Sequence, residues 1–290
     1  MTYHLDDDWH RRKQRVELPG KKPMAFVDGG GRGPALLLLH GFSDTSRSFS
    51  VLEPFLAGYR LIFPDLPGHG ASARGDGLLV SDFAESIDHL LAVLGISRMA
   101  IIGHSMGAMT AIELAVRRKS DVGALVLLSA SLRPDFGSDS PLTRDIRALR
   151  DPIHPSDGFF DDWYSCDRPI DPGFLSKMRT DAAAMPAAIW HGILDGFANT
   201  NLGPSAKQIS APVLCLNGSN DPLFDASHRQ ALTQAFSPAQ SITLSGYGHN
   251  PHWEDPQHVS ELILSFLGEV WPSACGGSVA HLAPDAVPSR

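Results

Sequence analysis

Ser105 lies in Gly103-His104-Ser105-Met106-Gly107, between the apolar run 99–102 and a helical pattern over 108–118. A strand that turns sharply into a helix leaves its central side chain exposed at a strained corner where only small neighbours fit, and Gly103 and Gly107 are such neighbours. The turn lifts the hydroxyl clear of the strand. It also puts the Met106 amide at a helix N-terminus, where the dipole favours developing negative charge. The chemistry these residues can do is attack on a carbonyl. A serine hydroxyl is a poor nucleophile near neutral pH, so it needs a base within reach and an acid that orients the base. His249, in the glycine-bearing stretch Gly246-Tyr247-Gly248-His249-Asn250-Pro251, is the expected base. His252 and His258 are weaker candidates, because each leads into residues that read as the start or body of the last helix. Asp221 and His249 lie downstream in the order serine, acid, histidine.

With an apolar run ending in His40-Gly41-Phe42 upstream, this pattern resembles the α/β-hydrolase family, in its branch with an inserted helical cap, over about residues 23–268. The resemblance implies a mostly parallel central sheet flanked by helices. It implies that the orienting acid is Asp221, directly after the strand 213–216, with Asp225 the local runner-up. Some members take the acid from the strand after the nucleophile helix, but here that strand ends in Ser129-Ala130-Ser131 and offers no carboxylate. It further implies that the Phe42 amide joins that of Met106 as the oxyanion hole, where losing one donor costs roughly 10²–10³ in rate. The His40 side chain is expected to fix that loop. The stretch from Asp65 to Ser72 resembles the family's structural loop, its glycines serving backbone turns.

The elements that must position these residues are legible in the spacing. Runs at 24–27, 35–39, 60–63, 99–102, 124–128, 213–216 and 241–244 read as strands buried on both faces. Helical patterns alternate with most of them, as a parallel sheet requires. One carries Phe83, Ile87, Leu90, Leu91 and Leu94 behind a Ser81-Asp82 cap, and Gly95 ends it. The glycine-rich stretch 28–34 joins two strands with no helix N-terminus to hold a phosphate, so it reads as a hairpin turn.

Between Ser131 and Pro212 the strands disappear and prolines recur, and helices are expected at 141–150, 156–164, 172–184 and 186–197. This is the expected cap, inserted between core segments 23–130 and 213–270. Its aromatics exceed what short helices need for docking, and pockets are lined mainly by such groups. Trp163, Trp190, Ile193 and Phe197 are the expected substrate-binding residues, with the two tryptophans forming the aromatic wall of an apolar pocket above Ser105. Residues 1–22 read as an N-terminal extension whose charged stretch, Asp6-Asp7-Asp8 with Arg11-Arg12-Lys13, is a solvated, mobile end, and 271–290 read as a disordered tail.

Composition narrows the function. At 290 residues with 43% hydrophobic content, one large sheet with a helical insertion accounts for the chain. The net charge of −8 argues against nucleic-acid or anionic-membrane partners, leaving a small-molecule substrate. No apolar run approaches the ~20 residues of a membrane span, and the charged N-terminus is unlike a secretory signal, so a soluble cytoplasmic protein is expected. Cys166, Cys215 and Cys275 are odd in number and widely spaced, which suits neither a disulfide framework nor zinc; Cys215 reads as strand core. The group His249, His252, Glu254, Asp255 and His258 lacks a recognised ligand spacing, and neither metal nor cofactor is expected. The expected function is a serine hydrolase cleaving a carboxylic ester or lactone with a sizeable apolar portion through an acyl-enzyme on Ser105. Carbon–carbon bond hydrolases, thioesterases and perhydrolases share the triad and are the alternatives. A binding protein of the same fold with little turnover is the rival from another class. Dehalogenases and epoxide hydrolases of this fold carry Asp where this chain has Ser105, and His40-Gly41-Phe42 lacks the iminopeptidase pattern.

Overall fold

The computed structural model describes residues 7–134, 136–236 and 239–271. The strands are β1 (Gln14–Val16), β2 (Met24–Gly30), β3 (Ala35–Leu39), β4 (Arg60–Pro64), β5 (Met99–His104), β6 (Val122–Leu128), β7 (Val213–Gly218) and β8 (Gln240–Leu244). They form one sheet in the order β1-β2-β4-β3-β5-β6-β7-β8. β2 is antiparallel to both β1 and β4, and the remaining pairs are parallel. The helices are α1 (Asp8–Arg11), α2 (Val80–Val93), α3 (Met106–Arg117), α4 (Pro141–Ala148), α5 (Phe159–Trp163), α6 (Pro172–Ala183), α7 (Ala187–Ala198), α8 (Gly203–Ala206), α9 (Ala226–Ala235), α10 (Pro251–Glu254) and α11 (Pro256–Val270).

The continuous apolar strands divide their side chains between two cores, one on each face of the sheet. Leu37 and Leu39 of β3 join Ile101 of β5 beneath α2 and α3, in a core that also receives the apolar faces of α4, α6 and α7. Leu36 and Leu38 point the other way, towards Val259, Ile263 and Phe266 of α11. All seven expected strands are present, and α4 to α7 occupy the stretch expected to be helical. Within the described residues from 131 to 212 there is no strand. This segment reaches back to the loop after β3: Trp163 Nε1–H donates to Ser43 Oγ at 2.8 Å, and Asp181 accepts from Thr45 Oγ1 and Arg47 Nε, each at 2.8 Å.

Four expectations are corrected. The stretch 28–34 is not a hairpin turn, because β4 lies between β2 and β3. A side chain at Gly31 would overlap the Tyr59 carbonyl and one at Gly33 the Gly58 carbonyl, so the glycines let this crossover run against the chain entering β4. The described part of the N-terminal extension is not a loose end. β1 pairs with β2, Trp9 is buried edge-on against Phe63 with a centroid separation of 5.3 Å, and Lys13 meets the buried Asp65 at 2.7 Å. Asp7, Arg12 and Lys13 have partners far along the chain, in Arg47, Glu53 and Asp65, which local composition cannot reveal. The cap of α2 lies two residues earlier than expected: the Asp82 carboxylate accepts from the Leu79 N–H at 2.9 Å, and Leu79 is the N-cap. Trp271, placed in the expected tail, is buried against Gly123; residues 272–290, with Cys275, lie outside the described residues. No helix among the described residues is long and apolar enough to cross a membrane.

Candidate active site

β5 delivers Ser105 to its corner and α3 starts at the next residue. Ser105 has φ 50° and ψ −115°, a conformation that L-residues rarely adopt and that the packing around it must hold. That packing depends on the flanking glycines. A Cβ on Gly107 would overlap the Leu39 carbonyl, and one on Gly103 the backbone of Ala108. Ser105 is 7% exposed and lines a cavity of about 450 Å³ that His249 also lines.

The loop after β8 brings His249 to Asp221, which follows β7: Nδ1 to Oδ2 is 2.9 Å. The Asp221 carboxyl group is enclosed, and its other oxygen accepts from the Leu223 N–H at 2.8 Å and the Phe224 N–H at 3.1 Å. Burial alone would raise its pKa, but His249 and these two amides hold it below the ordinary carboxylate value. A carboxylate partner requires Nδ1 to carry the ring proton, which leaves Nε2 as the acceptor. Asp225 does something else: it accepts from the Ser227 and His228 amides as the N-cap of α9. His252 is enclosed, stacked on Phe49 at 4.9 Å and bonded to Ser48 Oγ at 3.2 Å, while His258 lies on the outer face of α11 near Glu261. Neither lines the cavity.

Phe42 lies in the loop after β3, and Met106 is the first residue of α3. Neither amide donates to a protein acceptor among the described residues. His40 fixes the Phe42 loop, as expected. Its Nε2 accepts from the Leu66 N–H and its Nδ1 bonds the Gly41 carbonyl, each at 2.9 Å, and burial pushes its pKa down to about 3. The loop opened by Asp65 is tied in the same way, with Asp65 accepting from the amides of Ser46 and Ala71, each at 2.8 Å.

Of the four expected substrate-binding residues, Trp163 and Phe197 line the cavity; Trp190 and Ile193 do not. Both are fully buried. Trp190 packs behind the wall, its ring 5.0 Å from Phe42 and 5.3 Å from Trp163 between centroids. The period of α7 puts 190, 193 and 197 on one face, and only its C-terminal end reaches the cavity.

Sequence reasoning missed two residues beside the pair. His104 donates Nε2–H to the His249 carbonyl at 3.0 Å, tying the serine corner to the histidine loop, and burial pushes its pKa down to about 3. Asp44, two residues after Phe42, is enclosed on the cavity wall, 3.8 Å from His104 Nδ1, and accepts from Ser48 Oγ at 3.1 Å. Burial pushes its carboxyl up to about 7, against the pull of the Ser48 hydroxyl and of His249. Its place in the Phe42 loop is the one signal that could have drawn notice. Cys215 is buried in β7, and burial raises its thiol to about 12. Among the described residues no group of three or more His, Cys, Asp or Glu side chains is arranged to hold a metal ion.

Comparison with known proteins fits this geometry. A family model described as the alpha/beta hydrolase fold matches residues 34–256. A pimeloyl-[acyl-carrier protein] methyl ester esterase of Xanthomonas campestris pv. campestris is 28% identical over 256 residues, covering 83% of this chain and 98% of that protein. A 2-succinyl-6-hydroxy-2,4-cyclohexadiene-1-carboxylate synthase of Pectobacterium atrosepticum is 28% identical over 252 residues, 81% of this chain and 94% of that one. Among solved structures, a thermophilic esterase from Thermogutta terrifontis superposes with a TM-score of 0.73 at 25% identity, over 89% of this chain and 99% of that chain.

Proposed function

The chain belongs to the α/β-hydrolase fold family and is a hydrolase, and on that footing we propose that it cleaves carboxylic esters or lactones through an acyl-enzyme on Ser105. The observation that carries this reading is the 2.9 Å bond from His249 Nδ1 to Asp221, on the same cavity as a serine held in a strained corner. In the proposed reaction Ser105 Oγ attacks the carbonyl carbon while its proton passes to His249 Nε2. Asp221 holds the ring and stabilises the imidazolium. Negative charge gathers on the carbonyl oxygen, where the uncommitted amides of Phe42 and Met106 are proposed to receive it. Collapse breaks the bond to the leaving alkoxide, which takes the proton from His249. Water, deprotonated by the same nitrogen, then releases the acid and restores Ser105.

The helices from α4 to α7 serve in this reading as a cap whose Trp163 and Phe197 contact the apolar part of the substrate. That ester hydrolysis is the reaction is supported by the relative named as a methyl ester esterase, which the chain matches over nearly that protein's full length. The test is a panel of esters, lactones, thioesters and vinylogous diketones with the wild type and Ser105→Ala. Ester or lactone turnover that falls on the order of 10³-fold or more in Ser105→Ala is expected. Turnover confined to thioesters or diketones would move the reaction to another class, and turnover that survives in Ser105→Ala would remove the serine from it.

A further inference from the structure

The cavity's charged lining is one-sided. Its walls carry Phe136, Phe159 and Trp163 among other aromatic rings, and its carboxylates are Asp44 on the enclosed side and Asp145, Asp162 and Asp167 on the solvent-exposed side. No lysine or arginine lines it. The side chains of Asp145, Asp162 and Asp167 make no hydrogen bond and no ion pair with any described residue, whereas neighbouring Asp161 is paired with Arg179 at 2.7 Å.

We propose that the substrate of this cavity carries an ammonium cation, selected by Asp145, Asp162 and Asp167 and by the aromatic walls beside them. This names the substrate class for the serine-hydrolase reading and rests on it. An anionic ester would leave water for a cavity with no positive partner and against several like charges. A cation meets carboxylates whose field is concentrated by the low-dielectric walls. Aromatic faces attract it further, by an amount that grows as water is excluded. The exposed carboxylates act over a distance that salt screens, so the selection depends on ionic strength.

The test is kcat/KM for three matched p-nitrophenyl esters: a trimethylammonio-alkanoate, its neutral tert-butyl isostere and an ω-carboxyalkanoate of similar length. The cationic ester is expected to lead the anionic one by roughly tenfold or more at low salt, with the ratio shrinking as salt is added. Asp145→Asn, Asp162→Asn and Asp167→Asn combined are expected to cut that ratio by about tenfold, at roughly two- to fivefold per carboxylate. Because the readout is a ratio, a general loss of activity cancels, and the salt series on the wild type needs no variant. Hydrolysis of the neutral ester with a ratio at or below one, or a ratio the triple variant leaves unchanged, overturns the proposal while the hydrolase reading stands. Failure to turn over any of the three counts against the hydrolase reading instead. Binding of benzyltrimethylammonium against benzenesulfonate, followed by tryptophan fluorescence, then decides the charge preference without turnover: tighter sulfonate binding overturns it, and tighter ammonium binding supports it.

Discussion

Asp221 and Asp225 leave the same loop, yet only Asp221 reaches His249. Asp225 spends its carboxylate on two helical amides at the exposed start of α9. Asp221→Asn is expected to lower kcat by about 10⁴-fold, because an amide in its place permits the wrong imidazole tautomer. Asp225→Asn is expected to leave turnover unchanged and to cost no more than about 1 kcal/mol of helix capping. Steady-state kinetics on the two variants checks this, and a damaging Asp225→Asn with a silent Asp221→Asn would reverse the assignment. Both acids were legible, and their ranking came from a resemblance that the 2.9 Å bond now meets with geometry. Asp44 was not legible, because nothing in Ser43-Asp44-Thr45 says that a carboxyl group there is closed off by Ser48, His104 and Tyr164.

At the scale of the element, boundaries were easier to read than faces. Prolines and Ser140 mark the starts of α4, α6 and α7 within a residue or two, because first-turn chemistry is local. What covers each face depends on segments distant in sequence. Trp163 and Trp190 therefore looked equivalent, while the structure puts one on the cavity and the other behind it. Trp163→Ala is expected to raise KM for bulky esters and shift the ranking of short against bulky substrates. Trp190→Ala is expected to remove about 3–5 kcal/mol of stability through the cavity it leaves. Melting temperature measured beside a substrate series separates the two, and a Trp190→Ala variant with normal stability and altered ranking would return that ring to the pocket. The misread stretch 28–34 has the same origin: short glycine links fit hairpins and crossovers alike, and the pairing of β2 with β4 is a long-range fact.

The whole molecule carries a pH signature from groups closed in by the fold. Burial pushes the pKa values of His40 and His104 down to about 3 and of His69 to about 4, from 6.5, and that of His252 well below it. Each ring is neutral in the fold and takes a proton more readily in the unfolded chain. Their contribution to stability is therefore intact above about pH 6.5 and is lost as pH falls towards 3–4. By pH 5 this amounts to at most about 2 kcal/mol per histidine. Asp44 works in the opposite direction: raised from 3.8 to about 7, it favours the fold at low pH and costs stability as pH rises towards 7, by about 2 kcal/mol between pH 5 and 7. The histidines outnumber it, so denaturant unfolding is expected to give a fold several kcal/mol weaker at pH 5 than at pH 7. Equal or greater stability at pH 5 would contradict neutral buried rings.

The central claim is that Ser105 is a nucleophile activated by His249 and Asp221, and covalent labelling reads it most directly. Incubation with an alkyl fluorophosphonate, followed by intact-mass and peptide mass spectrometry, is expected to give one adduct per chain on Ser105. The adduct should be absent in Ser105→Ala and form far more slowly in Asp221→Asn. An unlabelled wild-type protein, or an adduct on any other residue that survives in Ser105→Ala, would contradict the account.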